Sequence, residues 1–473
     1  MRIGVQLTGI DSDSADVISV HLGMKWDPSE VIVFRDAPAG GKLDGLLLIG
    51  DGPAPPDSGL ITDTVDVGDG PEGVHANLDD IIFQADVKLG RLTKSYLARQ
   101  STQSYLKGNA KLSRRELLLG VTKDFQRYSG LPRVFNDSCE AKRGCTKCVD
   151  ICPAKALHLN GSSITVSEAD CTVCGMCAAV CPVGAVQMPE FSDAALFGLL
   201  DEIDESSAVR KTLVLTCDSK AIRRRPWMVV EKVSTVGMFG PRQIAAAATS
   251  SVGGVALVCP DGQCPGKDLA KTAAVSVGGS IAAGPTSPFI AFIEDVDDIE
   301  RLAELHESSK ARAPRATRSG DKWKDYVSDL TVLLSPDSST SGLGLTKLAV
   351  AESCTLCSAC VKLCPHESLR QDGKHLFFRA SSCTGCGLCV KTCPEHSMTL
   401  SAASGKMSSV MQTEKVYEDE LVTCTNCGTP VGSAKFVAKV SSLLGPDAKS
   451  ARLCPNCKKQ QIVEMLLGGR RNG

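Results

Sequence analysis

The sequence predicts an α+β chain of several domains, and three of its features lead to that expectation. The chain has 473 residues, which exceeds what one hydrophobic core holds and is enough for three or four domains. Cysteine-rich blocks of similar spacing occur twice along the chain. Apolar, strand-like runs alternate with helical stretches near the amino terminus and again between the two blocks, which predicts two small α/β domains.

Charge and composition exclude several classes of partner. The net charge is −2 and aromatic residues make up 4%, so neither an attractive field for nucleic acid nor a base-stacking surface is expected. No apolar run approaches the ~20 residues of a membrane span. The opening MRIGVQLTGI lacks the pattern of a secretory signal. We therefore expect a soluble, cytoplasmic protein without a membrane span or a nucleic-acid partner.

The cysteines carry most of the functional information. There are 23 of them, and in a chain without a secretory signal such a number indicates metal sites. In both blocks, 18 residues separate the closing cysteine of the first motif from the opening cysteine of the next. The sixteen cysteines of the blocks are Cys139, Cys145, Cys148, Cys152, Cys171, Cys174, Cys177, Cys181, Cys354, Cys357, Cys360, Cys364, Cys383, Cys386, Cys389 and Cys393.

The runs CTLCSACVKLCP and CTGCGLCVKTCP resemble the bacterial-type two-cluster ferredoxin domain. That resemblance implies two [4Fe–4S] clusters in each block, and it implies that the cysteine before each proline ligates the other cluster of its block. The implied ligand sets are Cys354, Cys357, Cys360 and Cys393; Cys383, Cys386, Cys389 and Cys364; and Cys171, Cys174, Cys177 and Cys152. Two ferredoxin-like dicluster domains are thus predicted, at 136–190 and 351–402.

The first motif departs from the pattern, because five residues separate Cys139 from Cys145. The remaining set, Cys145, Cys148 and Cys181, needs a fourth ligand, and Cys139 is the nearest cysteine in sequence. A loop longer by three residues costs well under ~1 kcal/mol in closure entropy, and Gly144 allows a tight return. We predict that Cys139 is a ligand on an enlarged loop. A three-iron cluster or a water-ligated iron is the alternative.

The flanking regions are assigned from composition and periodicity. Residues 1–95 read as an α/β scaffold or docking domain, because RIGVQL, VIVF and DGLLLIG are strand-like and no dinucleotide fingerprint is present. Residues 96–135 are predicted to be a helical connector. The segment SSKARAPRATRSG, rich in serine, proline and basic residues, predicts a flexible linker within 306–350.

Residues 191–305 predict a second α/β domain. Cys217 and Cys259 end two apolar strands, so both are expected at the same carboxyl edge of a parallel sheet, and Cys264 follows at a predicted helix start. The stretch VSTVGMFGPRQIAAAATSSVGGVALVCPDGQCPGK resembles the delta subunit of methyl-viologen-reducing hydrogenase. This chain departs from that family at Thr235, where the family has cysteine, and at Cys217, which stands alone instead of in a pair. We therefore expect a docking platform without a cluster; a [2Fe–2S] cluster on Cys217, Cys259 and Cys264 is the alternative.

The carboxyl-terminal segment, 415–473, contains two further cysteine pairs. Cys424 and Cys427 form one knuckle, and Cys454 and Cys457 form the other. Four thiolates at this spacing predict a zinc ribbon with one structural Zn²⁺. A single rubredoxin-like iron would use the same ligands and remains the alternative.

These features together predict a polyferredoxin that relays single electrons through four [4Fe–4S] clusters. We expect an electron-transfer subunit of an oxidoreductase complex and no catalytic residue of its own. The SRRELLLG segment, the wide-gap motif, the second ferredoxin motifs and the ribbon resemble iron–sulfur proteins that accompany formate dehydrogenases and other molybdopterin enzymes. That resemblance implies a molybdopterin or tungstopterin enzyme of formate dehydrogenase type and a mobile carrier as partners. A hydrogenase or heterodisulfide reductase partner is the alternative. A cluster assembly or sensing role also stays open, while a self-sufficient flavin or nicotinamide enzyme is disfavoured because no G-x-G-x-x-G is present.

Overall fold

The chain forms two compact units in the computed structural model. The first comprises Met1–Cys139, Lys147–Asn160 and Ile164–Leu333, and the second comprises Glu140–Thr146, Gly161–Ser163 and Leu334–Gly473. Within residues 1–130 the structure describes four strands and a few helical positions between 15 and 22 and between 82 and 89. From residue 131 to residue 468 it describes the chain apart from 190, 207–209, 218–221, 223–224, 251, 261–263, 282–286, 296–297 and 310–317.

A four-stranded parallel sheet forms the amino-terminal part of the first unit. Its strands are β1 (Ile3–Thr8), β2 (Val31–Phe34), β3 (Gly45–Gly50) and β4 (Ile61–Val65). They lie in the order β2-β1-β3-β4, and every neighbouring pair is parallel. Parallel neighbours require long crossover connections, as in α/β domains. The predicted connector falls mostly on residues 96–130, which lie outside the described residues.

The first cysteine-rich block is built from short elements around its loops. Its strands are β5 (Arg133–Val134), β6 (Leu157–Asn160), β7 (Ser163–Val166) and β8 (Val186–Gln187). β5 pairs with β8 in antiparallel fashion, and β6 lies beside β7. A 3₁₀ turn (Glu140–Arg143) precedes the helices α1 (Lys147–Ile151) and α2 (Met176–Ala179), and α3 (Asp193–Ser206) follows the block.

The middle region of the first unit contains a second four-stranded parallel sheet. Its strands are β9 (Thr212–Thr216), β10 (Met228–Lys232), β11 (Gly254–Val258) and β12 (Phe289–Ile293). The order β10-β9-β11-β12 repeats the relative order of the amino-terminal sheet. All residues of β9 and β11 are buried, as is typical of central parallel strands. The helices α4 (Pro241–Ala248), α5 (Lys267–Ser280) and α6 (Ile299–Ser308) accompany this sheet.

The segment predicted as a linker, 306–350, contains regular structure over part of its length. Residues 310–317 lie outside the described residues, but helix α7 (Lys322–Leu333) follows them. Its buried Asp329 accepts hydrogen bonds from Thr249 Oγ1 at 2.8 Å and from Arg318 Nη1 at 2.7 Å. These bonds fix the helix against the end of α4. The composition of the preceding basic segment gave no indication of this helix.

The second unit contains the other cysteine-rich block and the carboxyl-terminal segment. Strand β13 (Thr346–Val350) pairs with β16 (Met398–Ala402), and β14 (Leu369–Gln371), β15 (His375–Arg379) and β17 (Thr413–Glu418) form a three-stranded sheet. The helices of this block are α8 (Ala359–Leu363), α9 (Leu388–Lys391) and α10 (Met407–Met411). A hairpin of β18 (Leu421–Thr423) and β19 (Pro430–Ser433) then precedes α11 (Ala434–Leu444), a 3₁₀ segment (Gly445–Arg452) and α12 (Pro455–Gly468). None of the helices in the described part of the chain has the length and apolar character needed to cross a bilayer.

Candidate metal centres

Three cavities are each lined by four cysteines that come from two different motifs. The first is lined by Cys354, Cys357, Cys360 and Cys393, the second by Cys364, Cys383, Cys386 and Cys389, and the third by Cys152, Cys171, Cys174 and Cys177. In each cavity, three cysteines belong to one C-x-x-C-x-x-C loop and the fourth precedes the proline of the neighbouring motif. The structure therefore brings together the three regular sets that the ferredoxin resemblance implies.

The cysteine loops use left-handed backbone conformations at fixed positions. Val173, Leu356 and Gly385 have positive φ angles immediately before the second cysteine of their loops. The third residue after each cysteine that precedes a proline also has positive φ, at Lys155, Gly184, Glu367 and His396. In the described part of the chain, all six non-glycine residues with positive φ lie in these loops: Lys155, Val173, Leu356, Ser358, Glu367 and His396.

This conformation is strained for a side chain, by roughly 1–2 kcal/mol per residue. The strain in the six residues must be offset by something that the loops gain. Ligation of a metal group by the four thiolates of a cavity provides such a gain, because metal binding contributes directly to folding free energy. The backbone of the loops therefore fits the presence of a bound cluster.

Three of the left-handed residues are each followed by a backbone N–H group that donates to a cysteine sulfur. The N–H of Ala156 donates to Cys152 Sγ at 3.3 Å, that of Ala185 to Cys181 Sγ at 3.2 Å, and that of Ser397 to Cys393 Sγ at 3.4 Å. In each case the donor lies four residues after the acceptor cysteine. Such bonds stabilise a thiolate, and in iron–sulfur proteins they tune the reduction potential of the cluster. The motif spacing thus determines this hydrogen bonding as well as which thiols share a cavity.

Burial and mutual repulsion make two of the clustered thiols poor acids in the absence of a cation. Burial, followed by the neighbouring cysteines, raises the pKa of Cys360 and of Cys389 to about 12. Cys393 differs, because the hydroxyl and N–H of Ser397 outweigh burial and lower its pKa. Buried thiolates that repel one another require a compensating positive charge. Iron in a cluster supplies that charge and displaces the protons.

The enlarged loop after Cys139 folds back on itself. Its inserted residues form the 3₁₀ turn, in which Gly144 N–H donates to Ala141 O at 2.8 Å and Cys145 N–H to Glu140 O at 3.1 Å. Gly144 has φ +93° and occupies the position before the second cysteine that is left-handed in the other loops. The insertion is therefore absorbed locally. Cys139 and Cys148 are buried, Cys145 is half-buried, and the assignment of Cys139 as a ligand stays a prediction.

The buried carboxylate of Glu140, in this loop, lies next to His366, which lines the second cysteine cavity. Within the second unit, Glu140 Oε1 lies 2.7 Å from Arg143 Nη1 and 3.5 Å from His366 Nε2. Burial raises the pKa of Glu140, but hydrogen bonds with His366 and Arg143 outweigh it, so the net shift is downward. The charge of Glu140 contributes to the raised pKa of Cys386. Nothing in the sequence pattern singled out Glu140, because its partner His366 is distant in sequence.

The middle sheet brings its cysteines to one edge, as the sequence predicted. Cys217 follows β9 and Cys259 follows β11, and their Sγ atoms are 3.6 Å apart. Cys264 Sγ lies 3.0 Å from Thr235 Oγ1. Thr235 Oγ1 also donates to Cys174 O at 3.3 Å. Sequence reasoning noted Thr235 only as a missing cysteine; its contact with the cysteine loop of the third cavity was not foreseen.

Glycines allow the middle region to approach that loop closely. A Cβ atom on Gly240 would lie 2.1 Å from Ala179 O, and one on Gly237 would lie 2.7 Å from Cys174 O. Gly237 also meets Gly266, where an added Cβ would lie 2.5 Å from the Gly237 Cα. Side chains cannot be accommodated at such separations, so backbone packs directly on backbone.

Four further cysteines converge in the carboxyl-terminal segment. The Sγ atoms of Cys424, Cys427, Cys454 and Cys457 all lie within 4.8 Å of one another. The backbone N–H of Cys454, which donates to Cys424 Sγ at 3.3 Å, is the largest factor lowering the pKa of Cys424 to about 6. Ser433 Oγ donates to Thr355 O at 2.7 Å, which ties this segment to the loop of the first cavity. The group could bind zinc or iron.

Comparison with known proteins agrees with the geometry of the cysteine loops. Two 4Fe-4S dicluster domain families match the chain, one over residues 347–394 and the other over residues 139–185. The second match begins at Cys139.

Three related proteins are ferredoxins. A ferredoxin of Methanothermococcus thermolithotrophicus is 36% identical over 55 residues, which are 11% of this chain and 90% of that protein. An uncharacterized ferredoxin of Methanocaldococcus jannaschii is 42% identical over 45 residues, 9% of this chain and 73% of the relative. A second uncharacterized ferredoxin of that organism is 36% identical over 61 residues, which are 13% of this chain and 37% of that relative. The chain belongs to the 4Fe–4S ferredoxins and contains two dicluster domains.

Proposed function

We propose that this chain is an electron-transfer subunit that holds four [4Fe–4S] clusters between a catalytic redox enzyme and a carrier. The observation that carries the proposal is the trio of cavities, each lined by four cysteines from two motifs. A [4Fe–4S] cluster supplies reversible one-electron chemistry when four thiolates hold it. The chain's own part is to keep two such groups close within each domain and to set their surroundings.

The fourth cluster is assigned to Cys139, Cys145, Cys148 and Cys181. Three observations support this set: the family match that begins at Cys139, the compact turn of the inserted residues, and the left-handed Gly144 before Cys145. Near this set, Arg242 is buried and paired with Asp193, with Nη1 2.9 Å from Oδ2. Cys181 contributes to the raised pKa of Arg242, so this guanidinium is a fixed positive charge beside the proposed cluster.

Iron analysis of anaerobically purified protein tests the cluster count. We expect about sixteen irons with matching acid-labile sulfide, as four cubanes require. Iron near eight would leave one block without clusters and overturn the four-cluster relay. Cys360→Ala serves as an internal check, because it should change one set only and leave the iron of the other domain in place.

We further propose that the carboxyl-terminal cysteines hold a structural Zn²⁺. Four converging thiolates suit tetrahedral zinc, and the segment is tied to the cysteine loop of the second domain by Ser433. Metal analysis should give about one zinc per chain. A single iron would instead add one iron and a ferric-thiolate absorption that dithionite bleaches. Cys457→Ser should remove the metal without altering the cluster iron.

The partner is proposed to be a molybdopterin or tungstopterin enzyme of formate dehydrogenase type. The support is the resemblance of the wide-gap motif and the ribbon to iron–sulfur proteins that accompany such enzymes. The middle region would act as a docking platform, and its resemblance to the hydrogenase delta subunit makes a hydrogenase or heterodisulfide reductase the alternative partner. Cluster thiolates require a reducing compartment, which favours the cytoplasm. Purification of the native complex and identification of its metals decide between molybdenum or tungsten and nickel.

A further inference from the structure

Two cysteines lie at the point in the middle sheet where the strand order reverses. β9 is flanked by β10 on one side and by β11 on the other. The connection from β9 to β10 therefore runs toward one edge of the sheet, and the connection from β11 to β12 runs toward the other. In parallel α/β sheets, ligands and reactive groups lie outside the carboxyl ends of the strands at such a point. Cys217 and Cys259 are the residues that directly follow β9 and β11 there.

The backbone places the two thiols within bonding range. Thr216 and Val258, the residues before the two cysteines, are direct partners in the parallel ladder. Neighbouring strands are ~4.8 Å apart, which lies within the ~4.4–6.8 Å range of Cα separations found in disulfides. The Sγ atoms are already 3.6 Å apart. Side-chain rotation is therefore the main movement that a bond between them requires.

The third thiol, Cys264, contacts Cys259 of the pair and also the side chain of Thr235. Cys264 Sγ lies 3.0 Å from Thr235 Oγ1, and that hydroxyl donates to the carbonyl of Cys174. A [2Fe–2S] cluster needs four protein ligands, and this edge offers three cysteines, with a threonine engaged with Cys264 and Cys174 in the remaining position. Within the described residues, the four carboxyl-terminal cysteines, Cys424 to Cys457, are the group of three or more potential metal ligands whose ligand atoms all lie within 4.8 Å of one another. The three middle-sheet thiols do not all approach this closely, so they do not form a site for one ion.

We propose that Cys217 and Cys259 form a redox-active pair that interconverts between two thiols and a disulfide. Oxidation forms the Sγ–Sγ bond as the two S–H bonds break; the two protons pass to water and the two electrons pass one at a time to iron–sulfur carriers. Reduction consumes two electrons and two protons and restores both thiols. The electron source and sink rest on the proposed relay, whose one-electron carriers would deliver or accept the two electrons singly. Cys264 contacts Cys259 and Thr235, and Thr235 contacts Cys174, so this pair lies near a loop of that relay.

The test needs no cluster activity, so it is independent of the relay. Full-length protein is equilibrated anaerobically in glutathione buffers of graded ratio, trapped with excess N-ethylmaleimide in denaturant, and analysed by tandem mass spectrometry. We expect a reversible Cys217–Cys259 disulfide whose fraction rises from about a tenth to nine tenths over about 60 mV, the span of a hundredfold change for a two-electron couple. Iron content should be the same at both ends of the titration.

Two matched variants decide the assignment. Cys217→Ser should abolish the disulfide and leave iron content unchanged, while Cys264→Ser should retain the Cys217–Cys259 bond. A disulfide between Cys259 and Cys264, or no disulfide at any ratio, overturns the proposal. A [2Fe–2S] resonance that disappears in Cys217→Ser also overturns it, because the thiols would then be metal ligands. Failure of the four-cluster relay would appear in the iron count of the unmodified protein and would leave these results standing.

Discussion

Replacing Gly240 with alanine tests whether the middle region must lie against the cysteine loop for cluster retention. Gly240 has φ −94° and ψ −177°, a conformation open to alanine, so backbone strain plays no part. The added Cβ would lie 2.1 Å from Ala179 O, 2.8 Å from its carbonyl carbon and 3.1 Å from its Cα. Because all three are backbone atoms, no side-chain rotation relieves the clash. The segments around Gly240 and Ala179 must therefore separate by about 1 Å. Overpacking of this kind destabilises by about 1–3 kcal/mol, and contact with backbone favours the upper end.

Ala179 lies two residues after Cys177, so the displacement reaches a ligand loop directly. Iron release to a ferrous chelator, followed anaerobically, should accelerate about 10–100-fold in Gly240→Ala, as about 1.4–2.7 kcal/mol implies. Gly279→Ala is the matched control. No heavy atom lies within 4 Å of its added Cβ in α5, and alanine is the better helix former, so release should be unchanged or slower. Equal release rates for Gly240→Ala and the unmodified protein would refute the close-packing argument.

Three further predictions test the enlarged loop and the electrostatics. Cys139→Ala should convert one cluster of the first block into a three-iron form with a new resonance in the oxidised protein; an unchanged spectrum and iron count would exclude Cys139 as a ligand. Glu140→Gln removes a negative charge near Cys386 and should raise the reduction potential of that cluster by tens of millivolts, seen in a redox titration, whereas a lowered potential would contradict the placement of the charge. His306 stacks on Trp227, and burial lowers its pKa from 6.5 to about 4. The unfolded chain binds the proton more tightly, so stability should fall between about pH 6.5 and 4, by on the order of 1–2 kcal/mol. His306→Phe should flatten this dependence in thermal unfolding.

The parts of the structure that could be predicted from the sequence are those in which cysteines or apolar residues recur at short, regular intervals. Cysteines at two-residue intervals place three thiols in each cavity, and the ferredoxin resemblance implies the fourth. The apolar runs TLVLT and GVALV specify buried parallel strands. The placement of Cys217 and Cys259 at one edge followed from those strands, because carboxyl ends of parallel strands meet at the same edge of a sheet. These relations depend on spacing and not on the identity of distant neighbours.

The unforeseen features all depend on residues far apart in sequence or on backbone angles. Thr235 meets Cys174 across 61 residues, a distance over which no periodicity operates. The left-handed Lys155 and Val173 are ordinary side chains in positions that the cluster loop imposes. Helix α7 is held by Asp329 and its bonds to Arg318 and Thr249, whereas the basic segment before it reads as linker. Tertiary contacts thus override local composition at these points.

The chain contains two similar arrangements of domains that differ at a few positions. Each parallel sheet has the same relative strand order, and a dicluster domain follows each one in sequence, so the chain repeats one arrangement twice. The residues directly after β1 and β3 are Gly9 and Asp51, whereas the corresponding residues after β9 and β11 are Cys217 and Cys259. The first dicluster domain, in turn, is the one with the inserted turn after Cys139. The two copies therefore differ at the positions where a repeated scaffold can diverge without changing its core: the carboxyl ends of the strands and a cluster loop. Different redox groups on one repeated framework would let the two parts interact with different partners, as the proposed relay between an enzyme and a carrier requires.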